Sequence, residues 1–388
     1  MNPVTTAADS TTAKTTQENP LRLLHRFGQS VWLDYIRRDL FTSGELQRLI
    51  NEDGLRGMTS NPAIFEKAIA GSADYTENLK YLKARNLTAF EIYETIAIQD
   101  IRDAADRLHG VYTSSDRQDG YVSLEVSPKL ARSTAATIDE ARRLWKAVGR
   151  QNVMIKVPGT DEGLPAIQQL ISDGINVNIT LLFAQEAYVK VAEAYIKGLE
   201  AYRGNDIGSI ASVASFFVSR IDSNVDALLN AKLKTPDSQE PLYRSLLGKI
   251  AIANAKQAYR RFGAIFSGDR WKALTSRGAQ PQRLLWASTS TKNPSYRDVM
   301  YVEELIGPQT VNTIPPATLD AFRDHGKVGR TLDAEVAAAD KVMADLEKAG
   351  ISMRAVTGQL LEEAIKLFDD AFDKLIAAVE QTKPEPAK

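Results

Sequence analysis

At 388 residues, with 44% hydrophobic and 25% charged residues and a formal net charge of −1, the chain has the balance of a soluble protein with a sizeable core. It has no global field to draw nucleic acid or an anionic membrane. The absence of cysteine excludes disulfides, thiolate catalysis, iron–sulfur clusters and cysteine zinc sites, and suits a cytoplasmic protein.

The first twenty residues, MNPVTTAADSTTAKTTQENP, are rich in Thr, Ala and Ser and lack the apolar run of a signal peptide, so residues 1–20 are expected to be a disordered tail. Strand candidates then alternate with helical stretches. VWLDYI starts at Val31. GMTSNP starts at Gly57 and ends in Asn61-Pro62, a capping side chain before a proline at the first helical position. Ile98, Ile101, Ala105 and Leu108 share one helical face. His109 follows and precedes a glycine, as does His325; both are expected at helix ends, against the dipole. With His25 they are the only three histidines, and none lies within metal-ligand spacing of another.

YVSLEV starts at Tyr121 and leads into Ser127-Pro128, a second expected helix start. VMIKVP starts at Val153 and runs into Gly159–Gly163, read as a plain strand-to-helix turn. NVNITLLF from Asn176 precedes a helix with Tyr188, Val191, Tyr195 and Leu199 on one face; SIASVASFF from Ser209, RLLWAS from Arg283 and TVNTIP from Thr310 complete eight strands. Helices follow through Val336, Ala339, Val342 and Leu346, and through Leu361, Ile365, Phe368, Phe372, Leu375 and Val379. Residues 381–388, QTKPEPAK, are expected to be a second disordered tail.

Such alternation implies parallel pairing. Eight strands, with no G-x-G-x-x-G and no G-x-x-x-x-G-K-[ST], favour a closed (β/α)8 barrel with additional helices over an open doubly wound sheet. One domain is expected, over residues 21–380. No stretch is apolar and long enough to span a bilayer.

The strands alternate in polarity. Val153, Ile155 and Val157 oppose Met154 and Lys156. Val122, Leu124 and Val126 oppose Tyr121, Ser123 and Glu125. Val31, Leu33 and Tyr35 oppose Trp32 and Asp34, and Val177, Ile179, Leu181 and Phe183 oppose Asn176, Asn178 and Thr180. In a barrel the first set packs under the helices and the second points inward, with polar groups near the C-terminal strand ends where barrel active sites form. An inward lysine is desolvated, which favours its neutral form. A neutral amine can attack a carbonyl to form a Schiff base, whose protonated imine accepts electrons from a breaking carbon–carbon bond while carboxylates move protons. The alternative for Lys156 is a structural ion pair with Glu125 or Asp34.

In this order, WLDYIRR, GMTSNPAIF, VSLEVSP, IKVPGTDEG, GINVNITLLF, VASFFVSRID, LWASTSTKNP and VNTIPPATLDAF resemble the longer bacterial branch of the transaldolase family, over about Val31 to Gly326. The resemblance implies transfer of a dihydroxyacetone unit from sedoheptulose 7-phosphate or fructose 6-phosphate to glyceraldehyde 3-phosphate or erythrose 4-phosphate. It places the reaction in the non-oxidative pentose phosphate pathway, in the cytoplasm, with no cofactor or metal. By position, Lys156 matches the Schiff-base lysine and Asp34 the acid/base of carbon–carbon cleavage. Glu125 and Thr180 match the pair that holds the catalytic water. Asn61, Asn178 and Ser215 match groups that hold the substrate's hydroxyls and dihydroxyacetone part, and Arg220 a phosphate-binding arginine. Its alternative is an ion pair with Asp222 or Asp226. Where the better-known branch has a second phosphate arginine, this chain reads ASTSTKNP; Ser288, Ser290 and Lys292 are the available groups, with Lys292 binding phosphate as a point charge. Sugar phosphates are the expected partners of a monomer or homodimer. Competing readings are a Schiff-base aldolase that releases dihydroxyacetone, a pyridoxal-phosphate enzyme using Lys156, and a non-catalytic sugar-phosphate-binding barrel.

Overall fold

A computed structural model describes residues 18–381. Its eight strands are β1 (Gln29–Asp34), β2 (Gly57–Thr59), β3 (Tyr121–Glu125), β4 (Val153–Pro158), β5 (Val177–Leu182), β6 (Ser212–Phe217), β7 (Arg283–Ala287) and β8 (Thr310–Ile314). They pair in sequence order, all parallel, and β8 closes onto β1. The (β/α)8 barrel read from the sequence is therefore the fold. Each expected strand is present, within a few residues; β6 begins at Ser212, after the 3-10 turn Ile207–Ser209, and β2 ends at Thr59 where the expected run reached Pro62.

Strand parity has the expected effect. Val153, Ile155 and Val157 are fully buried; each such side chain contributes about 1.5–3 kcal/mol through burial. The inward set begins at the barrel's N-terminal end with Trp32, whose indole Nε1 donates to Asp119 at 3.3 Å. Its ring fills the floor so closely that a Cβ on Gly57, its register neighbour on β2, would lie 2.5 Å from it. Arg283 also bonds Asp119, at 3.0 Å, and Ser30, at 2.9 Å, so Ser30, Trp32, Asp119 and Arg283 form one bonded group at this end.

Four local expectations need correction. Asn19 and Pro20 belong to the fold: the Asn19 side chain accepts from Leu21 N at 2.9 Å and caps the helix Pro20–Arg26. Glu18, also in the expected tail, accepts from Arg26 at 2.9 Å, and Gln381, expected to open the second tail, ends the helix Met353–Gln381 instead; positions 1–17 and 382–388 lie outside the described residues. Ser127-Pro128 opens only the 3-10 turn Pro128–Leu130, without a side-chain cap, and the next helix starts at Thr134. His109 lies inside the 26-residue helix Ala89–Ser114, with its ring 6.1 Å from that of Tyr112. The Thr88–Glu91 capping box and a long apolar face carry that helix through Gly110. His325 does end its helix, Pro316–His325. Asn61 caps Pro62–Gly71 by accepting from Ile64 N, and Gly159–Gly163 is the expected turn. No helix among the described residues is long and apolar enough to cross a membrane.

Candidate active site

Lys156 lies in the C-terminal half of β4, in register with Glu125 on β3 and Asn178 on β5. Parallel neighbours in register share a face, so the three side chains form one inward layer. The side chains of Lys156 and Glu125 are only 6% and 5% exposed. Lys156 Nζ donates to Glu125 Oε2 at 3.3 Å and to the Ser60 carbonyl oxygen at 3.0 Å. Burial raises the Glu125 pKa above the ordinary value; the charge and hydrogen bond of Lys156 pull it back, and Asp34 pushes it up. The ion pair with Glu125 considered as a structural alternative thus exists, and it sits where a reacting amine and its proton acceptor would have to meet.

Asp34 ends β1. It accepts from Thr59 Oγ1 at 2.7 Å, and Thr59 Oγ1 in turn shares a 2.6 Å bond with Thr313 Oγ1. Burial raises its pKa too, against the Thr59 hydrogen bond and the charges of Lys156 and Lys292. Two carboxylates with raised basicity therefore flank one amine.

Thr180 is fully buried, and its hydroxyl has no hydrogen-bond partner in the protein. A buried unpaired hydroxyl is costly, and the local backbone accounts for its persistence. β5 breaks register with β6 between Ile179 and Leu182, and Leu181 holds a left-handed φ of 65°. A bulge of this kind re-aims the neighbouring side chain, and strain at a non-glycine residue persists only where the surroundings enforce it.

Asn178 Nδ2 donates to Ser123 Oγ at 3.0 Å, and Ser215 Oγ donates to Asn178 Oδ1 at 2.7 Å. Asn178 and Ser215 are thus brought together. Asn61 spends its Oδ1 on the helix cap, at 3.0 Å from Ile64 N, which leaves its amide hydrogens for a ligand.

Arg220 follows β6 in the helix Ser219–Lys232 and is half-buried, 5.8 Å over the Phe217 ring. Neither of the acids weighed as its partner pairs with it. Asp222 accepts from Ala251 N at 2.7 Å and Tyr301 Oη at 2.8 Å. Asp226 accepts from Gly248 N at 3.0 Å and Tyr296 Oη at 2.7 Å. Burial lowers the Arg220 pKa from its ordinary value. Lys292 donates to Ser290 Oγ at 2.7 Å. Its pKa is lowered by partial desolvation and by the nearby charges of Arg220 and Lys67. Ser288, at φ 56°, shares a 3.0 Å hydroxyl bond with Ser219, next to Arg220.

Sequence reasoning did not single out Ser123, Thr59, the Ser60 carbonyl, Lys67 or Phe368. The inward parity of Tyr121, Ser123 and Glu125 carried a signal for Ser123. Lys67, in the helix Pro62–Gly71, and Phe368, whose ring lies 5.9 Å from Lys156 Nζ, approach from outside the strands, where parity gives no guide.

The family Transaldolase/Fructose-6-phosphate aldolase matches residues 31–379, beyond Gly326 and through the C-terminal helix. A transaldolase of Trichodesmium erythraeum (strain IMS101) is 50% identical over 369 residues, 94% of this chain and 97% of its own. Transaldolase 2 of Nostoc sp. (strain PCC 7120) is 49% identical over 93% of this chain and 97% of its own. Transaldolase 1 of Streptomyces coelicolor is 46% identical over 95% and 96%.

Proposed function

The chain belongs to the transaldolase and fructose 6-phosphate aldolase family, and on that premise we propose that it is a transaldolase working through a Schiff base on Lys156. Its reaction is the transfer of a dihydroxyacetone unit from sedoheptulose 7-phosphate or fructose 6-phosphate to glyceraldehyde 3-phosphate or erythrose 4-phosphate, a step of the non-oxidative pentose phosphate pathway in the cytoplasm.

The observation that carries this reading is the buried Lys156 amine bonded to a buried carboxylate, Glu125, at the C-terminal mouth of a closed barrel. Glu125, made more basic by burial, takes a proton from Lys156, and the free amine attacks the ketone carbon of the donor. Water leaves between Glu125 and the unpartnered Thr180 hydroxyl, giving the protonated imine. Asp34 removes the proton from the hydroxyl β to the imine carbon. The carbon–carbon bond breaks, its electrons move into the imine, and the aldose phosphate departs from an enamine. The enamine carbon then attacks the acceptor's aldehyde carbon, Asp34 returns the proton to the new hydroxyl, and water held by Glu125 and Thr180 releases the ketose phosphate. Asn61, Asn178 and Ser215 hold hydroxyls; Arg220, Lys292 and Ser288 with Ser290 receive the phosphate.

The test is product analysis with fructose 6-phosphate, with and without erythrose 4-phosphate. Sedoheptulose 7-phosphate formed only with acceptor, and lost in Lys156→Ala, supports transfer. Free dihydroxyacetone formed equally fast contradicts it, and full turnover by Lys156→Ala removes the Schiff-base mechanism.

A further inference from the structure

The C-terminal helix, Met353–Gln381, crosses the barrel mouth. It packs on the helix after β2 (Pro62–Gly71), the turn after β3 (Pro128–Leu130), β5 itself and the helix after β6 (Ser219–Lys232). These meet it at the end of the barrel that holds Lys156. Lys129 bonds Asp373 at 2.7 Å, Arg132 pairs with Glu362, and the Phe372 ring meets the Tyr93 ring edge-on at 5.9 Å. Thus pinned, the helix places the partly buried Phe368 ring 5.9 Å from Lys156 Nζ. An aromatic face at this range stabilises a cation beside it and offers water no strong hydrogen-bond partner.

Resting on the reading of Lys156 as the Schiff-base lysine, we propose that Phe368 determines the fate of the enamine, shielding it from solvent until an aldose phosphate arrives. Release requires water to protonate the enamine carbon, restoring the iminium. A second water then adds to the imine carbon, the carbon–nitrogen bond breaks, the nitrogen takes a proton, and dihydroxyacetone leaves Lys156 as a free amine. Transfer instead joins the enamine carbon to the aldehyde carbon, with Asp34 supplying the proton to the aldehyde oxygen. Both routes are redox-neutral and differ in whether water or aldehyde reaches the carbon first. The water that finishes transfer is held by Glu125 and Thr180, both on strands, so a ring presented by the crossing helix shields the adduct without blocking turnover.

The experiment measures free dihydroxyacetone against sedoheptulose 7-phosphate in single turnovers of the full-length protein with fructose 6-phosphate and erythrose 4-phosphate. Borohydride trapping of the Lys156 adduct runs in parallel. Phe368→Ala is expected to raise the release-to-transfer ratio about tenfold, the scale of one cation–aromatic contact and its excluded water, while the adduct still forms. Phe368→Leu, apolar and of similar reach, is expected to keep the ratio near wild type. Should the alanine variant not fold, Phe368→Gln, which keeps the stem and admits water, carries the same expectation. An unchanged ratio in a variant that still forms the adduct overturns the role of Phe368 alone. Absence of an adduct in the wild type overturns the Schiff-base reading and this one with it.

Discussion

The Thr180 hydroxyl separates function from stability at a single atom. Buried without a partner, it costs the fold about 1–3 kcal/mol. Thr180→Val keeps the shape and removes the cost, so the variant is expected to unfold at the same or a higher denaturant concentration. Turnover is expected to fall about 100-fold, because the water loses a positioning group. Lower stability with normal turnover would assign Thr180 to the fold. Arg220 and Lys292, proposed to receive the phosphate, and Lys67, whose charge acts on Lys292, make a graded series. Arg220→Ala is expected to reduce kcat/KM for fructose 6-phosphate about 10- to 100-fold, as befits a charge-assisted contact, and Lys292→Ala less. The exposed Lys67→Ala is expected to raise KM only about threefold, and less at high salt. Equal effects from all three, or none from Arg220, would contradict a phosphate pocket at these residues. At this scale the inward strand residues were legible because parity fixes direction once a strand is assigned. Thr180 alone looked like an ordinary β-branched strand residue, since the bulge that aims it appears only with the backbone.

Among the elements, the helix Ser219–Lys232 shows how a buried acid positions a site. Asp222 and Asp226 accept from Tyr301 and Tyr296, tying the segment that carries Lys292 to the helix that carries Arg220. Burial pushes the Asp222 pKa up to about 7 from 3.8. A carboxyl whose folded pKa is raised contributes stability below its unfolded pKa that is lost as pH rises through the folded one. Thermal stability is therefore expected to fall from about pH 4 to about pH 7, the interval between the ordinary and the raised value, with a shallower fall in Asp222→Asn; equal slopes would mean that Asp222 does not titrate there. The sequence offered Asp222 and Asp226 as surface partners of Arg220 because they lie on the same helix. Which side chain turns inward depended on Tyr296 and Tyr301, seventy or more positions away, and no local pattern carries that. Helix existence was readable from periodicity, whereas boundaries such as His109 and Ser127-Pro128 turned on whether a neighbouring apolar face sustained or stopped the helix.

For the whole molecule, barrel closure is what turns scattered strand motifs into one site. Asp34, Glu125, Lys156, Thr180, Asn178 and Ser215 come from five strands, and only the β8–β1 pairing bends the sheet so that they face one space. Closure was legible from the count of strands and their alternation with helices. The path of the last helix across the mouth was not, because its apolar spacing fits packing on either the barrel's flank or its end. The most direct measurement is borohydride reduction of the full-length protein with fructose 6-phosphate, followed by peptide mass analysis. A three-carbon adduct on the peptide bearing Lys156, absent in Lys156→Ala, is the expected result; an adduct on a different lysine, or turnover without any trappable adduct, would contradict the mechanism.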